Sequence, residues 1–144
     1  MNRRILVCVA AIALVVPGQV LAGKGAAVVK PRAELTWTPG KIPGVSSATV
    51  DGDMAKGPSH FFLKYAAGLV TPLHHHSADH YVTTVSGNLV LVVDGKETRV
   101  PPGSFFSFTG GAPHAARCEG SEDCVMFLDA RGAWDVVPEA AAKP

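Results

Sequence analysis

The sequence predicts an all-β fold, an antiparallel sandwich or barrel built as a single domain. Three observations carry that expectation. From residue 33 onward the chain is a series of short apolar runs, at 35–37, 48–50, 61–65, 81–85, 89–93, 98–100, 105–108, 125–128 and 135–137, separated by Gly, Pro or polar residues. Short strands at such intervals are the pattern of sandwiches and barrels. Apolar residues do not recur there at spacings of three and four, so no amphipathic helix is expected. Once an N-terminal leader is set aside, about 120 residues remain, enough to bury one core.

In order, the chain opens with the basic head Met1-Asn2-Arg3-Arg4. An unbroken apolar run over 5–16 follows, then the break Pro17-Gly18 and Val20-Leu21-Ala22 before Gly23. This order is that of a secretory signal peptide over 1–22, with small residues around a cut after Ala22. A permanent N-terminal anchor is the alternative, and the run is short for a bilayer span. Cys8 lies near the start of the run, not at its end, so it is not read as a lipid-anchoring cysteine. Arg3-Arg4 invites a twin-arginine reading, but Ile5-Leu6-Val7 continues that signal poorly. Ordinary export of the unfolded chain is expected, to the periplasm or the medium, with any metal acquired outside the cytoplasm and no membrane association after cleavage. Cleavage removes Arg3 and Arg4 from the 13 Lys and Arg, leaving 11 against 12 acidic residues. No basic stripe remains, so nucleic acid is not an expected partner. Residues 23–32 read as a flexible leader, 33–138 as the domain and 139–144 as a disordered tail.

Within the domain, Asn88 after Gly87 and Asp94-Gly95 are hairpin signals. The first joins run 81–85 to 89–93, and the second sends that strand back through 97–100. Pro101-Pro102 lacks the backbone donors of a ladder and closes the strand before Gly103 starts the next. Gly132-Ala133-Trp134-Asp135 forms the last turn and strand, with Trp134 covering one end of the barrel as a core or interface residue. The domain has two cysteines, Cys118 and Cys124, at the ends of a polar stretch read as a hairpin loop. Its ends hold the sulfurs at bridging distance, and export favours their oxidation. Two free thiols, or a thiolate on a metal, are the alternatives; ligation is disfavoured because Cys118 lies four residues past His114.

The chemistry concentrates in one stretch. Four of the six histidines, His74, His75, His76 and His80, fall within seven positions. On a strand His74 and His76 share a face and His75 points away. His80 has their parity, but four extended residues carry it roughly 13 Å further along, while ligand nitrogens sit about 2 Å from a metal. The chain must therefore fold back between His76 and His80, and Ser77-Ala78-Asp79 has the composition of such a corner. His114 is a fourth candidate, fed into a new strand by Gly110-Gly111-Ala112-Pro113. His75 and His60 read as surface or rim residues.

Gly68, His74, His76, His80 and Gly87, with five, one, three and six residues between them, resemble the first sequence motif of the cupin superfamily, with His80 where that family usually has Glu. Gly103, Thr109, Gly111, His114 and Cys118, with five, one, two and three between them, resemble the second, with Thr109 where Pro is usual and Cys118 where Asn is common. The resemblance spans about residues 33–137. It implies a small antiparallel jelly-roll barrel in which His74, His76, His80 and His114 converge on a divalent transition metal: Fe, Zn, Mn, Ni or Cu.

Four neutral imidazoles leave the charge of such an ion uncompensated, which makes it a stronger Lewis acid. By parity with His80, Val82 and Thr84 point into the pocket, and the 105–108 run supplies an aromatic wall. Asp79 and Tyr81 are nearest for acid–base work but have outward parity, so no catalytic residue is assigned. The resemblance implies a metal-dependent enzyme on a small molecule, dioxygenase-type with a redox metal first, then a zinc-type isomerase, lyase or hydrolase. A non-catalytic module that binds a metal or small ligand for sensing, storage or delivery is the alternative, and a fold retained for interaction alone is a third, weaker reading. Cupin barrels often pair through edge strands, so a homodimer is expected.

Overall fold

The computed structural model describes residues 27–140. The expected signal peptide, residues 23–26 of the leader and residues 141–144 of the tail lie outside the described residues. Among them the chain forms a 3₁₀ turn, Arg32–Glu34, and eleven strands: β1 (Thr38–Pro39), β2 (Val45–Gly52), β3 (Ser59–Tyr65), β4 (His74–His75), β5 (His80–Ser86), β6 (Asn88–Val93), β7 (Lys96–Val100), β8 (Phe105–Phe108), β9 (Ala115–Glu119), β10 (Cys124–Ala130) and β11 (Val137–Pro138).

Six strands make one antiparallel sheet, in the order β1-β2-β3-β10-β5-β8. Opposite it lie β7-β6-β9 and the β11-β4 pair. The chain between Gly68 and His74 joins these two ladders by running antiparallel to β9. Thr71 N–H donates to Ala116 O (2.8 Å), Cys118 N–H to Leu69 O (2.9 Å), and His74 and His114 exchange both backbone bonds (2.9 and 2.8 Å). The result is the expected all-β jelly roll. β3 and β10 alternate buried and half-buried residues along their whole length. Phe61, Leu63, Tyr65, Val82, Leu89, Leu91, Met126 and Leu128 therefore fill the space between the sheets. Each such side chain contributes about 1.5–3 kcal/mol by leaving water.

The Asp94-Gly95 turn forms as expected: both residues take positive φ (50° and 73°), and β6 and β7 pair directly across it. The Gly87-Asn88 hairpin does not form. β5 pairs with β10 and β8, whereas β6 pairs with β7 and β9, so the chain changes sheets at Gly87. The loop between β9 and β10 is likewise a crossing between sheets, not a hairpin, and the Cys118–Cys124 disulfide spans it with Cα atoms 5.7 Å apart. The two crossings touch. A Cβ on Gly87 would stand 2.7 Å from Asp123 O and 2.9 Å from Cys124 Sγ, and Gly87 has a φ of 82°. Local turn chemistry announces that the chain bends; the opposing apolar faces decide which sheet it enters.

Smaller differences follow the same logic. Run 35–37 is not a strand, because Leu35 and Trp37 lie over the outer face of the first sheet and pairing begins only at Thr38. The last strand is limited to Val137–Pro138. Glu139, expected in the tail, is held: its N–H donates to Leu73 O (3.0 Å) and its carboxylate meets His75 Nδ1 at 2.5 Å.

Candidate metal centre

His74 and His114 are cross-strand neighbours, and their ring centroids lie 4.5 Å apart. His76, two residues further on the same face, is 5.0 Å from His74 and 5.3 Å from His114. One ring nitrogen from each of these three lies within 4.8 Å of the others, and all three residues are buried. His80 arrives from the other sheet at the start of β5. Its ring is 4.7 Å from His76 and 5.9 Å from His114, so it borders the trio without sharing its 4.8 Å spacing.

The fold-back between His76 and His80 is built by two aspartates. Asp135 accepts from the Ser77 N–H (2.8 Å) and hydroxyl (2.6 Å), and Asp79 accepts from Gly110 N–H (2.8 Å). Gly110 must be glycine, since a Cβ there would sit 2.3 Å from Ser77 O. This close approach brings the loop that carries His114 against the loop that carries His76 and His80.

Each of the four rings is oriented from behind. Nδ1 of His74 donates to Pro72 O (2.8 Å), that of His80 to Ala78 O (3.2 Å), that of His114 to Ala112 O (2.9 Å) and that of His76 to Asp135 O. A proton held on Nδ1 leaves the Nε2 lone pair free, which is the tautomer a metal-binding histidine needs. Burial reinforces it. Desolvation, opposed by the Asp135 carbonyl and aided by the neighbouring histidines, lowers the pKa of His76 to about 3. Burial likewise lowers His114 to about 4 and pushes His80 down. These rings are neutral at neutral pH, so the donor set suits a divalent transition metal.

The cupin-domain family profile matches residues 61–130, from β3 through β10 and across all four histidines. Solved structures agree. The polyketide cyclase RemF from Streptomyces resistomycificus is similar with a TM-score of 0.68 at 18% identity, over 82% of this chain and 89% of that one. An RmlC-like cupin from Shewanella frigidimarina NCIMB 400 has a TM-score of 0.62 at 14% identity, covering 75% and 93%. Residues 61–130 are a cupin domain. The DMSP lyase DddQ from Ruegeria pomeroyi DSS-3 is a third similar structure, with a TM-score of 0.62 at 18% identity over 78% and 64%. At these identities the likeness concerns the fold. No curated protein matches this cupin.

In this cupin a cavity of about 30 Å³ adjoins the rings of His76, His80 and His114, walled by Val82, Phe106, Phe108 and Trp134 among others. Val82 lines it, as its parity predicts. Thr84 is buried but does not: it lies two residues further along β5, past the cavity, and its hydroxyl has no partner. Asp79 and Tyr81 face outward, the first tied to Gly110 and the second 38% exposed. His60 sits at the surface between Asp51 and Asp129, each 3.6 Å away. Cys118 and Cys124 are bonded to each other, which removes both as thiolate ligands. Trp134, expected from the sequence to cover one end of the barrel as a core or interface residue, belongs to the site: it stacks on His76 at 3.9 Å and meets His80 edge-on at 5.2 Å. Phe108 stacks on His114 at 3.9 Å. Parity within the 105–108 run was the only sequence signal for Phe108, and Trp134 had none.

Proposed function

We propose that this cupin is an exported protein that holds one divalent transition metal on His74, His76 and His114, with His80 as a fourth donor, and uses it to act on a small molecule. The observation that carries the reading is the set of four Nδ1–H groups engaged by backbone carbonyls, which leaves four Nε2 donors in one buried place. Such an ion supplies Lewis acidity and, if it is iron or copper, redox chemistry. The protein contributes a neutral donor set without a carboxylate, an apolar wall and exclusion of water. Dioxygenase-type chemistry is the version to test first, and a zinc-type lyase, isomerase or hydrolase is next. Elemental analysis of protein from its own periplasm should find a single ion per chain, lost in His76→Ala and His114→Ala. A native protein with almost no metal overturns the reading. Export rests on the N-terminal sequence, and the periplasmic protein should begin at Gly23.

One observation favours a non-catalytic metal or ligand module as the second reading. A cavity of about 30 Å³ holds a water or two, well under the roughly 300–1,000 Å³ of small-molecule pockets. Absorption spectra of the cobalt-substituted protein separate the two. Exchangeable water on the ion supports catalysis, and a closed four-nitrogen centre without water supports the module.

A further inference from the structure

A concavity much larger than the cavity beside the histidines lies away from them, on the outer face of the six-stranded sheet. Strand alternation makes the two surfaces reciprocal. Leu63, Tyr65, Val82 and Met126 line the metal cavity, whereas Phe62, Lys64, Val85 and Val125 of the same strands floor an outer groove of about 760 Å³. That volume is within the range of small-molecule sites.

The groove has two walls of different character. One is the segment before β1, with Lys30, Arg32, Leu35 and Trp37; the other is the loop that contributes Ser121, Glu122 and Asp123. The second wall is braced by the Cys118–Cys124 disulfide and by its close approach to Gly87. A wall already rigid loses little freedom when a ligand binds. Apart from Lys64 the named floor residues are apolar, and Val85 among them is 46% exposed.

The charges are unbalanced. Lys30, Arg32 and Lys64 form no ion pair among the described residues, and the Lys64 ammonium lies 4.7 Å over the Trp37 ring. Of the two acids, Asp123 is held in place by the Ala67 N–H at 3.0 Å, and three cations against two carboxylates leave the groove one positive charge in excess.

We propose that this groove is a second ligand site, independent of the metal centre, for a small amphipathic anion. An aromatic or branched apolar body rests on Phe62, Val85, Val125 and Trp37, and a carboxylate is met by Lys64 and Arg32. An apolar floor beside unpaired cations fits such a molecule better than a neutral one, which would leave the cations without a partner.

The test is titration of 2-naphthoate into the metal-loaded, mature-length protein, followed by calorimetry and amide chemical-shift mapping, with 2-naphthalenemethanol as the neutral control. Binding should move the amides of Trp37, Phe62, Lys64, Val85 and Val125, and should weaken at least tenfold in the double variant Arg32→Gln, Lys64→Gln and with the neutral control. Metal content should not change. Equal binding of the neutral control or the double variant overturns the proposal, as do shifts centred on His76 and Trp134 or the absence of binding. Sedimentation of the same samples addresses rival occupancy: a dimer whose dissociation is needed before naphthoate binds assigns the groove to a second copy of the chain and also overturns it.

Discussion

Replacing Asp135 with Ala should weaken metal binding without touching any ligand. The carboxylate is the acceptor for both the backbone N–H and the hydroxyl of Ser77, and these bonds hold it below the ordinary carboxylate range. The carbonyl of the same residue takes the Nδ1 proton of His76. The side chain therefore fixes the path of the strap whose main chain orients a ligand. Hydrogen bonds to a charged group contribute about 1.5–3 kcal/mol each when well shielded. Asp135 is only half-buried, so water replaces part of that, and a loss of about 1–2 kcal/mol in the metal-free protein is expected. Loss of outer-shell support typically lowers metal affinity about 10–100-fold, or about 1.4–2.7 kcal/mol. Competition of Zn²⁺ between the protein and a chromophoric chelator measures the second quantity, and urea unfolding of the metal-free protein the first. Asp135→Asn retains one acceptor and should fall between. Unchanged zinc affinity in a destabilised variant would refute the claim that the strap orients His76.

Other outcomes follow from the same geometry. The pKa values of His76 and His114 are lowered by folding, so the unfolded chain takes up protons first as pH falls. Melting of the metal-free protein should be nearly pH-independent above about 6.5 and decline toward pH 4, with a slope for His76 of at most about 1.4 kcal/mol per pH unit. Removing the disulfide with Cys118→Ala and Cys124→Ala closes no loop in the unfolded chain and should cost about 2 kcal/mol, seen as a Tm lower by roughly 8 °C. The chain has two tryptophans, of which only Trp134 stacks on a ring of the histidine cluster. Added Cu²⁺ should therefore remove roughly half of the fluorescence in the wild type and almost none in Trp134→Phe. The residue also closes the cavity, so Trp134→Ala should speed water exchange on a bound Co²⁺ ion, and an unchanged rate would show that access lies elsewhere.

Much of this is legible in the sequence. Parity alone separates His74 and His76 from His75, and the distance between His76 and His80 demands the corner at Ser77-Ala78-Asp79. Such rules act over a few residues, which is why they hold. Gly87-Asn88 misleads for the complementary reason: the signal marks a bend, and the pairing of β5 with β10 instead of β6 depends on residues 39 to 50 positions away in sequence. Trp134 was opaque because its partner His76 is distant in the chain and no periodicity links them. Glu139 reads as tail in the sequence because its two bonds, to Leu73 and His75, exist only once β11 has docked on β4.

The acceptors that orient the four rings are main-chain oxygens of residues 72, 78, 112 and 135. Side chains at three of these positions, Pro72, Ala78 and Ala112, can diverge without deleting an acceptor, since every amino acid carries the same carbonyl. Ring protonation in this protein is thus inherited through the course of its loops, and a lineage could rewrite that neighbourhood extensively while each imidazole kept its bonding nitrogen turned toward the ion.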